Sequence, residues 1–438
     1  MKGKAAVPSP AEVHYEFGGP LGAALITTTL PFVVLALLYL CGKDYCLQGY
    51  RFDTLGDAWA QLPESLGDLF NPTAFRICIQ WLLFQVLLDR VLPGKIVEGV
   101  TLNDGSRLGY KMSGHAAFWA SLIVTWLGMM EFSGASSAGF KLSAVYDMFE
   151  ELAVAAATIS FVLSVGLYIA SLRTGAKLAD VGGAIGRSAF YDFYMGRELN
   201  PRIGQLDLKC FCELRPGLIG WAIINLGMLV KQRETLGYVS GPMVMVNLFQ
   251  GLYIWDGLFF ERAILTTMDI TTDGFGFMLA FGDLCWVPFV YSLQARYLVS
   301  NDPGLPPWAI GAIACLNLVG YSIFRGANGQ KDAFRRDPTA AAVSHLQWMP
   351  TKRGTKLLTS GYWGAARKIN YTGDWIMGLS WCMFTGFGSP VPYFYCIYFG
   401  ILLVHRAWRD DHACAIKYGS DWNAYKLKVP SMFVPGLI

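Results

Sequence analysis

Residues 325–337 read RGANGQKDAFRRD, and this run marks the point where a strongly apolar chain becomes polar. Two further polar runs follow: TKRGTKLLTSGYWGAARKINYTGDW at residues 351–375, and HRAWRDDHACAIKYGSDWNAYKLKVP at residues 405–430. Between Arg325 and Asp374 the chain has nine Lys or Arg and only three Asp. A partner bound by these residues should therefore be anionic.

Helical spacing groups the polar residues of these runs. Lys331 and Arg335 are four residues apart, so a helix would place both on one face. The same spacing in the last run predicts a polar stripe formed by Arg406, Asp410, Cys414 and Tyr418. Trp363 or Tyr371 could stack on a ring, and Asn370 could bond an amide. We therefore expect the runs to close over a phosphate-bearing ligand such as a nucleotide.

A simpler alternative is a basic face that meets lipid or water, because positive charge beside membrane spans is common. The aromatic, amide and acidic residues among the cations argue against that alternative. No GxxxxGK[ST] run is present and no GxGxxG run opens a βαβ unit, so the sequence predicts neither a P-loop nor a Rossmann site. If the ligand is a dinucleotide, the excess of cations favours the form with the extra 2′-phosphate.

The composition is typical of a membrane protein. The 438 residues are 54% hydrophobic and 15% charged, with a mean hydropathy of +0.38, whereas soluble domains are roughly 45–50% apolar and about 25% charged. The formal net charge of +3 is too small to suggest a nucleic-acid partner. The ten cysteines form no CxxC pair and no Cys/His set with zinc spacing, so we predict no metal site.

Apolar runs predict an all-α, polytopic membrane protein of about ten transmembrane helices, since one span needs about 20 apolar residues. The organisation would be a polar N-terminal segment at 1–20, a membrane domain at 21–324 and a C-terminal region at 325–438. The predicted spans are 21–41, 74–92, 116–130, 152–170, 216–230, 242–260, 275–297, 306–324 and two short spans within 375–404, around the FGSP turn.

Charged residues lie in or beside two of these spans. Asp256, Glu261 and Asp283 are the clearest cases, and each such group costs about 2.5–3.5 kcal/mol at the bilayer centre. They are therefore expected to line a protein-walled substrate cavity rather than to face lipid.

Four runs, at residues 196–221, 265–298, 357–375 and 405–430, resemble the sterol reductase family. That family includes the C-14, C-7 and C-24(28) sterol reductases and the membrane domain of the lamin B receptor. The run MDITTDGFGFMLAFGDL followed by VPFVYSLQARYL looks most like its fungal C-14 branch. The resemblance implies a multi-pass enzyme of the endoplasmic reticulum membrane that takes a sterol from the bilayer. It would reduce the C14=C15 double bond in ergosterol-type biosynthesis, with NADPH bound on the cytosolic side.

The resemblance also implies site residues. It puts the sterol cavity in the membrane domain and the NADPH-binding region in 325–438. Tyr253 and Asp410 are the implied proton-donor candidates. The implied NADPH contacts are Lys331, Arg335, Leu358, Trp363, Asn370, Tyr371, Arg406, Asp410, Cys414, Lys417, Tyr418 and Tyr425.

The chemistry of such a reduction requires an acid, because an alkene is a poor hydride acceptor until one carbon is protonated. In an 8,14-diene, protonation at C-15 leaves a tertiary allylic cation at C-14, which then accepts the hydride. Asp410 lies near Arg406 and Arg409 in sequence and should stay ionised unless it is strongly desolvated. We therefore favour Tyr253 as the immediate donor, with Asp410 as a relay.

The chain departs from the family at four places, one of which is the tail VPSMFVPGLI, where the usual final aromatic is missing. Phe260-Glu261-Arg262 stands where His-Glu-Glu is common, Lys368 replaces a His, and residues 182–188 read GGAIGRS in place of an Asn-containing turn. These departures leave open a reductase of another steroid double bond in a specialised pathway, or a non-catalytic sterol-binding protein. A methyltransferase acting on isoprenylated cysteine shares part of the C-terminal pattern, but its S-adenosylmethionine has no phosphate for the cations to bind.

Overall fold

The protein is predominantly helical, as the sequence predicts, with three small two-stranded sheets among the described residues. The structure is a computed structural model, and it describes residues 13, 15–41, 65–102, 105–132, 141–173, 177–179 and 183–437. Most of the predicted N-terminal segment at 1–20 lies outside these residues. So do residues 180–182, which include the first glycine of the GGAIGRS run.

The helices differ widely in length. In chain order they are α1 (Gly19–Leu40), α2 (Pro72–Val91), α3 (Gly114–Phe132), α4 (Ala144–Asp147), α5 (Phe149–Ala170), α6 (Ala189–Met195), α7 (Leu208–Leu214), α8 (Pro216–Leu236), α9 (Gly241–Phe259), α10 (Met268–Thr271), α11 (Phe277–Phe281), α12 (Val287–Val290), α13 (Leu293–Ser300), α14 (Pro307–Arg336), α15 (Tyr362–Ala365), α16 (Ile369–Met383), α17 (Phe394–Tyr418) and α18 (Ser420–Lys428). Short 3₁₀ turns lie at Leu66–Leu69, Glu261–Thr266 and Val391–Tyr393.

The strands form antiparallel hairpins that the helical spans did not predict. The first pairs β1 (Lys95–Thr101) with β2 (Arg107–Met112), and Lys95 lies opposite Met112. The other two pair β3 with β4 and β5 with β6, whose bounds are Arg202–Ile203, Leu206–Asp207, Trp348–Pro350 and Lys356–Leu358. The third hairpin ends at Leu358, one of the predicted cofactor contacts.

Four helical segments among the described residues are long and apolar enough to cross a membrane. They are Gly19–Leu40, Phe149–Ala170, Phe277–Ser300 and Pro307–Arg336. The break predicted within 375–404 is confirmed, since α16 ends at Met383 and α17 begins at Phe394.

Prolines and glycines set the bounds of the long helices. Three of them begin at Pro72, Pro216 and Pro307, where a proline costs little because its missing N–H would have had no partner in the helix. Helix α8 continues past its predicted end at residue 230 and stops at Leu236, because Gly237 adopts a left-handed conformation with φ of 82°. An apolar run therefore locates a helix here without marking its end.

The chain divides into two compact units. The first comprises residues 1–47, 51–239 and 250–300, and the second comprises residues 48–50, 240–249 and 301–438. The first unit thus carries Tyr253 and the three predicted cavity acids. The second carries every predicted cofactor contact.

Helices α14 and α16 cross at two glycines in the second unit. A Cβ added to Gly320 would lie 2.8 Å from the Gly373 carbonyl oxygen, and one added to Gly373 would lie 2.6 Å from the Gly320 carbonyl oxygen. The two backbones therefore touch, and side chains at the ends of both helices are held close together.

An apolar cavity of about 770 Å³ lies within the first unit. Its wall is built from α2, α3, α5 and α8 together with Leu142, Val145 and residues between Leu284 and Phe289. Polar side chains are few and include Thr73, Arg76 and Gln80, which lie on the first turns of α2. A space of this size and character matches the sites that proteins use for small apolar ligands.

Candidate functional site

The end of α14 presents cations to the core of the second unit. Lys331 is half-buried, and its Nζ lies 4.1 Å from the centre of the Trp363 ring, a cation–π distance. The indole Nε1–H of Trp363 donates to the Ala327 carbonyl oxygen at 2.8 Å, which fixes the ring against the same helix. Arg335 lies one turn further along and is exposed. The predicted pair on one helix face is therefore present.

Asp410 is held by a lysine from the start of α16. The Lys368 ammonium donates to Asp410 Oδ2; the lysine side chain is mostly buried and that of Asp410 is half-buried. Burial would raise the pKa of Asp410, but the charges of Lys368 and Lys331 and a hydrogen bond from Lys368 outweigh it, so the pKa lies below its ordinary value. Asp410 is therefore a carboxylate at neutral pH and an acceptor of hydrogen bonds.

Cys414 lies one turn after Asp410 on α17. Its Sγ is 3.7 Å from Asp410 Oδ2. Burial, together with the nearby carboxylate, raises the pKa of this thiol to about 11. Cys414 is thus a protonated thiol at neutral pH, and it lines the site without being a nucleophile.

Asn370 offers an open acceptor to the site. Its Nδ2 donates to Asn328 Oδ1 at 3.3 Å. Its own Oδ1 is buried and has no hydrogen-bond partner among the described residues. Because a buried carbonyl oxygen without a partner is costly, this atom is well suited to receive an amide N–H from a ligand.

The remaining predicted contacts surround this group. Leu358 is buried in the same apolar cluster as Trp363, and Tyr425 donates from its hydroxyl to the Trp363 carbonyl oxygen at 3.4 Å. Tyr418 packs beside Cys414 against the buried Trp422 and Tyr425. The half-buried Tyr371 ring has Lys368 Nζ 5.7 Å from its centre. Arg406 is half-buried on α17, and Lys417 is exposed near the end of that helix.

Two members of the site are not among the predicted contacts. Lys368 stands out in the sequence only as a departure from a family pattern, yet its ammonium is the partner of Asp410. The second is the segment after α18: the N–H of Arg367 donates to the Ser431 carbonyl oxygen at 3.0 Å, and that of Lys368 to Met432 at 2.7 Å. Thr372 donates from its hydroxyl to the Phe433 carbonyl oxygen at 2.7 Å. No sequence signal marked these backbone contacts.

Tyr253 lies in the first unit beside a network of buried amides. Its half-buried ring is 6.2 Å from the Trp221 ring. Trp221 Nε1–H donates to Gln250 Oε1 at 3.1 Å, and Asn225 donates to the same oxygen at 2.6 Å. Gln250 in turn donates to Gln294 Oε1 at 3.0 Å. These bonds fix the aromatic wall against which Tyr253 packs.

The three predicted cavity acids are all buried in the first unit. Asp256 is 2% exposed, Glu261 8% and Asp283 9%. Glu261 accepts the Gly114 N–H at 2.8 Å, and its pKa is raised by burial, with Gly114 and Arg215 opposing that effect. Asp283 lies in a π-helical turn, Gly282–Trp286, and its Oδ2 has no hydrogen-bond partner among the described residues. None of the three lines the 770 Å³ cavity.

Comparison with known proteins identifies relatives over almost the whole chain. The profile of the "Ergosterol biosynthesis ERG4/ERG24 family" matches residues 11–438. The Delta(14)-sterol reductase erg24 of Schizosaccharomyces pombe is 45% identical over 426 residues, covering 96% of this chain and 97% of the relative. The Delta(14)-sterol reductase ERG24 of Candida albicans is 42% identical over 448 residues, covering 98% of each.

A vertebrate relative is equally similar but longer. The Delta(14)-sterol reductase LBR of Gallus gallus is 45% identical over 427 residues, which cover 97% of this chain and 64% of that protein. The resemblance to sterol reductases and to their fungal C-14 branch is thereby confirmed. The chain belongs to the ERG4/ERG24 family of ergosterol biosynthesis.

Proposed function

We propose that this protein is a Delta(14)-sterol reductase that uses NADPH to reduce the C14=C15 double bond of a sterol intermediate in ergosterol-type biosynthesis. The relatives named above, at 42–45% identity over nearly the full chain, support the reaction. The single structural observation that carries the cofactor assignment is the site of the second unit, where Lys331 and Lys368 surround one carboxylate. Such a site favours a ligand with several negative charges.

The residues present fit a nicotinamide dinucleotide phosphate. Lys331, Arg335 and Lys417 offer charge to phosphates, and Tyr371 offers a partly open ring for stacking. The unpartnered Oδ1 of Asn370 would accept from the carboxamide. NADPH, when bound, supplies the hydride. Leu358, Arg406, Cys414, Tyr418 and Tyr425 would complete the cofactor site.

The chain's own residues would supply the proton and the dry surroundings. The Tyr253 hydroxyl would donate its proton to C-15 of the sterol and would regain a proton from solvent, while Asp410, held as a carboxylate, would orient neighbouring donors in the cofactor site. The bonds that fix Trp221 keep one wall of the Tyr253 environment rigid. A fixed geometry of this kind is what a reaction between two bound partners requires.

We infer that the protein spans the endoplasmic reticulum membrane with about ten helices and takes its sterol from the bilayer. The four membrane-length helices support a membrane location. The pocket of the second unit would face the cytosol, where NADPH is available. Accessibility labelling of cysteines introduced beside Lys417 in sealed microsomes tests this orientation, and labelling only after the vesicles are opened would contradict it.

The proposed reaction is tested by transfer of a labelled hydride. The detergent-solubilised protein is incubated without oxygen with an 8,14-dienol sterol and NADPH deuterated at its transferable hydrogen. We expect one deuterium at C-14 of the product. NADPH binding without transfer would indicate another steroid substrate, and the absence of NADPH binding would favour a non-catalytic sterol-binding protein.

Removal of one arginine at the end of α14 should weaken NADPH binding. We expect Arg335→Met to lower the affinity by roughly tenfold to a hundredfold, the usual worth of a hydrogen bond to a charged group, and to lower NADH affinity less. Isothermal titration with both cofactors measures the difference. The matched control is Arg336→Met, because Arg336 is already paired with Asp332 at 2.7 Å and both are exposed. Equal losses in the two variants would contradict a specific role for Arg335.

The apolar cavity of the first unit is the space we propose for the apolar side chain of the sterol; Tyr253 does not line it, so the ring that reacts would lie outside it. Gly128 lines it, and a Cβ added there would meet nothing within 4 Å, so a large side chain could project into the cavity. We expect Gly128→Phe to raise KM for the sterol roughly tenfold, by overfilling the space, while NADPH affinity is unchanged. Gly166→Phe is the control, since Gly166 also has open space but does not line the cavity. An unchanged KM in Gly128→Phe would place the sterol elsewhere.

A further inference from the structure

Lys368 is held in place by its backbone as well as by its side chain. It is the residue that precedes α16, and its N–H donates to the Met432 carbonyl oxygen at 2.7 Å. The adjacent Arg367 is bonded in the same way to Ser431, and its guanidinium also donates to the Val429 carbonyl oxygen at 3.0 Å. The lysine side chain is 12% exposed. Its ammonium therefore has little freedom to leave the site.

The surroundings of this ammonium contain more positive than negative charge. The carboxylate it contacts is Asp410, and Lys331 lies close enough to interact electrostatically with both. Among the titratable and charged groups near the pair are Lys331 and Arg335 of α14, Tyr371 of α16, and Cys414 and Lys417 of α17; Tyr425 of α18 lies near Cys414 and Arg367. Of these, burial raises the pKa of Tyr425 to about 12 and that of Cys414 to about 11, so both stay neutral at physiological pH.

We propose that Lys368 is a positioning residue of the cofactor site, whose ammonium holds Asp410 as a fixed acceptor and adds to the positive charge of the pocket that would receive a phosphate-bearing cofactor. The inference rests on the proposed function and deepens it. Asp410 then serves as a fixed acceptor and does not deliver the proton to the sterol. A lysine suits this role because its ordinary pKa of about 10.4 is far above neutrality.

A histidine at the same place would behave differently. An imidazole has an ordinary pKa of about 6.5, which a neighbouring carboxylate raises. The imidazole is charged below that pKa and neutral above it. Its contribution to the positive charge of the pocket is therefore present at low pH and is lost as the pH rises. The identity of this one residue would thus change how cofactor affinity depends on pH between 6 and 9.

The test compares three substitutions through NADPH dissociation constants measured by nicotinamide fluorescence from pH 6 to 9. Each dissociation constant is divided by that of the unchanged protein at the same pH. The effect of titrating the cofactor's own phosphate is the same in both constants and cancels in this ratio. For Lys368→Arg we expect a ratio near one throughout. For Lys368→His we expect a ratio near one at pH 6 that rises to about tenfold by pH 9. For Lys368→Gln we expect about tenfold weaker binding at every pH. A flat ratio for Lys368→His, or normal affinity for Lys368→Gln, would overturn the proposal.

A second measurement needs no cofactor. Thermal unfolding of Lys368→His is followed over the same pH range, alone and combined with Asp410→Asn. The introduced imidazole should stabilise the fold below pH 6.5, and that stabilisation should be lost as pH rises through its raised pKa, giving a falling Tm relative to the unchanged protein. Combination with Asp410→Asn should abolish the difference, and its persistence would show that Asp410 is not the partner. Absence of NADPH binding by the unchanged protein would refute the proposed function, while the melting result would still decide the role of Lys368.

Discussion

Replacing Tyr253 with Phe is expected to lower kcat by roughly a hundredfold to ten-thousandfold, the usual contribution of a general acid. The substitution removes one hydroxyl and leaves the ring beside Trp221, so the fold and NADPH affinity should not change. Single-turnover experiments with deuterated NADPH would measure the chemical step directly. The same loss should persist at saturating sterol, because the missing interaction belongs to the transition state.

The control for this change is the tyrosine on another side of the same indole. Tyr291 has its ring 5.3 Å from the Trp221 ring, and we expect Tyr291→Phe to retain most of the turnover. Asp410→Asn should reduce turnover less than Tyr253→Phe does at saturating cofactor. Full turnover in Tyr253→Phe, with turnover lost in Asp410→Asn, would make Asp410 the proton source and contradict our assignment.

The second large effect is expected at the crossing of α14 and α16. A Cβ at Gly373 would lie 2.6 Å from both the Gly320 carbonyl oxygen and the Phe324 backbone nitrogen. Backbone atoms cannot rotate away as a flexible side chain can, so Gly373→Leu must separate the two helices. We expect it to destabilise the protein by at least about 3 kcal/mol and to abolish NADPH binding. Thermal melting in detergent and isothermal titration would measure the two effects.

A glycine elsewhere in α14 supplies the comparison. Gly311 is exposed, and a Cβ added there would meet nothing within 4 Å. Gly311→Leu should therefore leave NADPH affinity intact and could raise stability by up to about 1 kcal/mol through helix propensity. If both variants melted alike, close backbone contact would not be what holds the cofactor site together.

The sequence was sufficient to predict features that depend on neighbours along the chain. The four-residue spacing of Lys331 and Arg335, and of Asp410 and Cys414, correctly indicated faces of α14 and α17, because helix periodicity is local. The break before α17 followed from its Gly and Pro residues in the same way. Apolar runs located most long helices, since each needs only its own side chains to be recognised.

Features that depend on distant pairing were not predictable from one sequence. Lys368 and Asp410 are 42 residues apart, and nothing local indicates that they form a pair. The backbone bonds from Arg367 and Lys368 to residues beyond α18 involve carbonyl oxygens, which every residue carries. The apolar cavity likewise arises between helices that are distant in sequence, and its volume depends on how they pack. The assignment of roles to Tyr253 and the buried acids remains a prediction.

The bonds between the start of α16 and residues 431–433 also govern when the cofactor site can form during synthesis. Lys331 and Ser431 are separated by a hundred residues, which take about 5–20 s to translate. Until residues 431–433 have been translated, the carbonyl oxygens that accept the hydrogen bonds of Arg367, Lys368 and Thr372 are missing. The helices that carry the cations have been translated by that time. All residues of the first unit are therefore translated before the proposed cofactor site of the second unit can close.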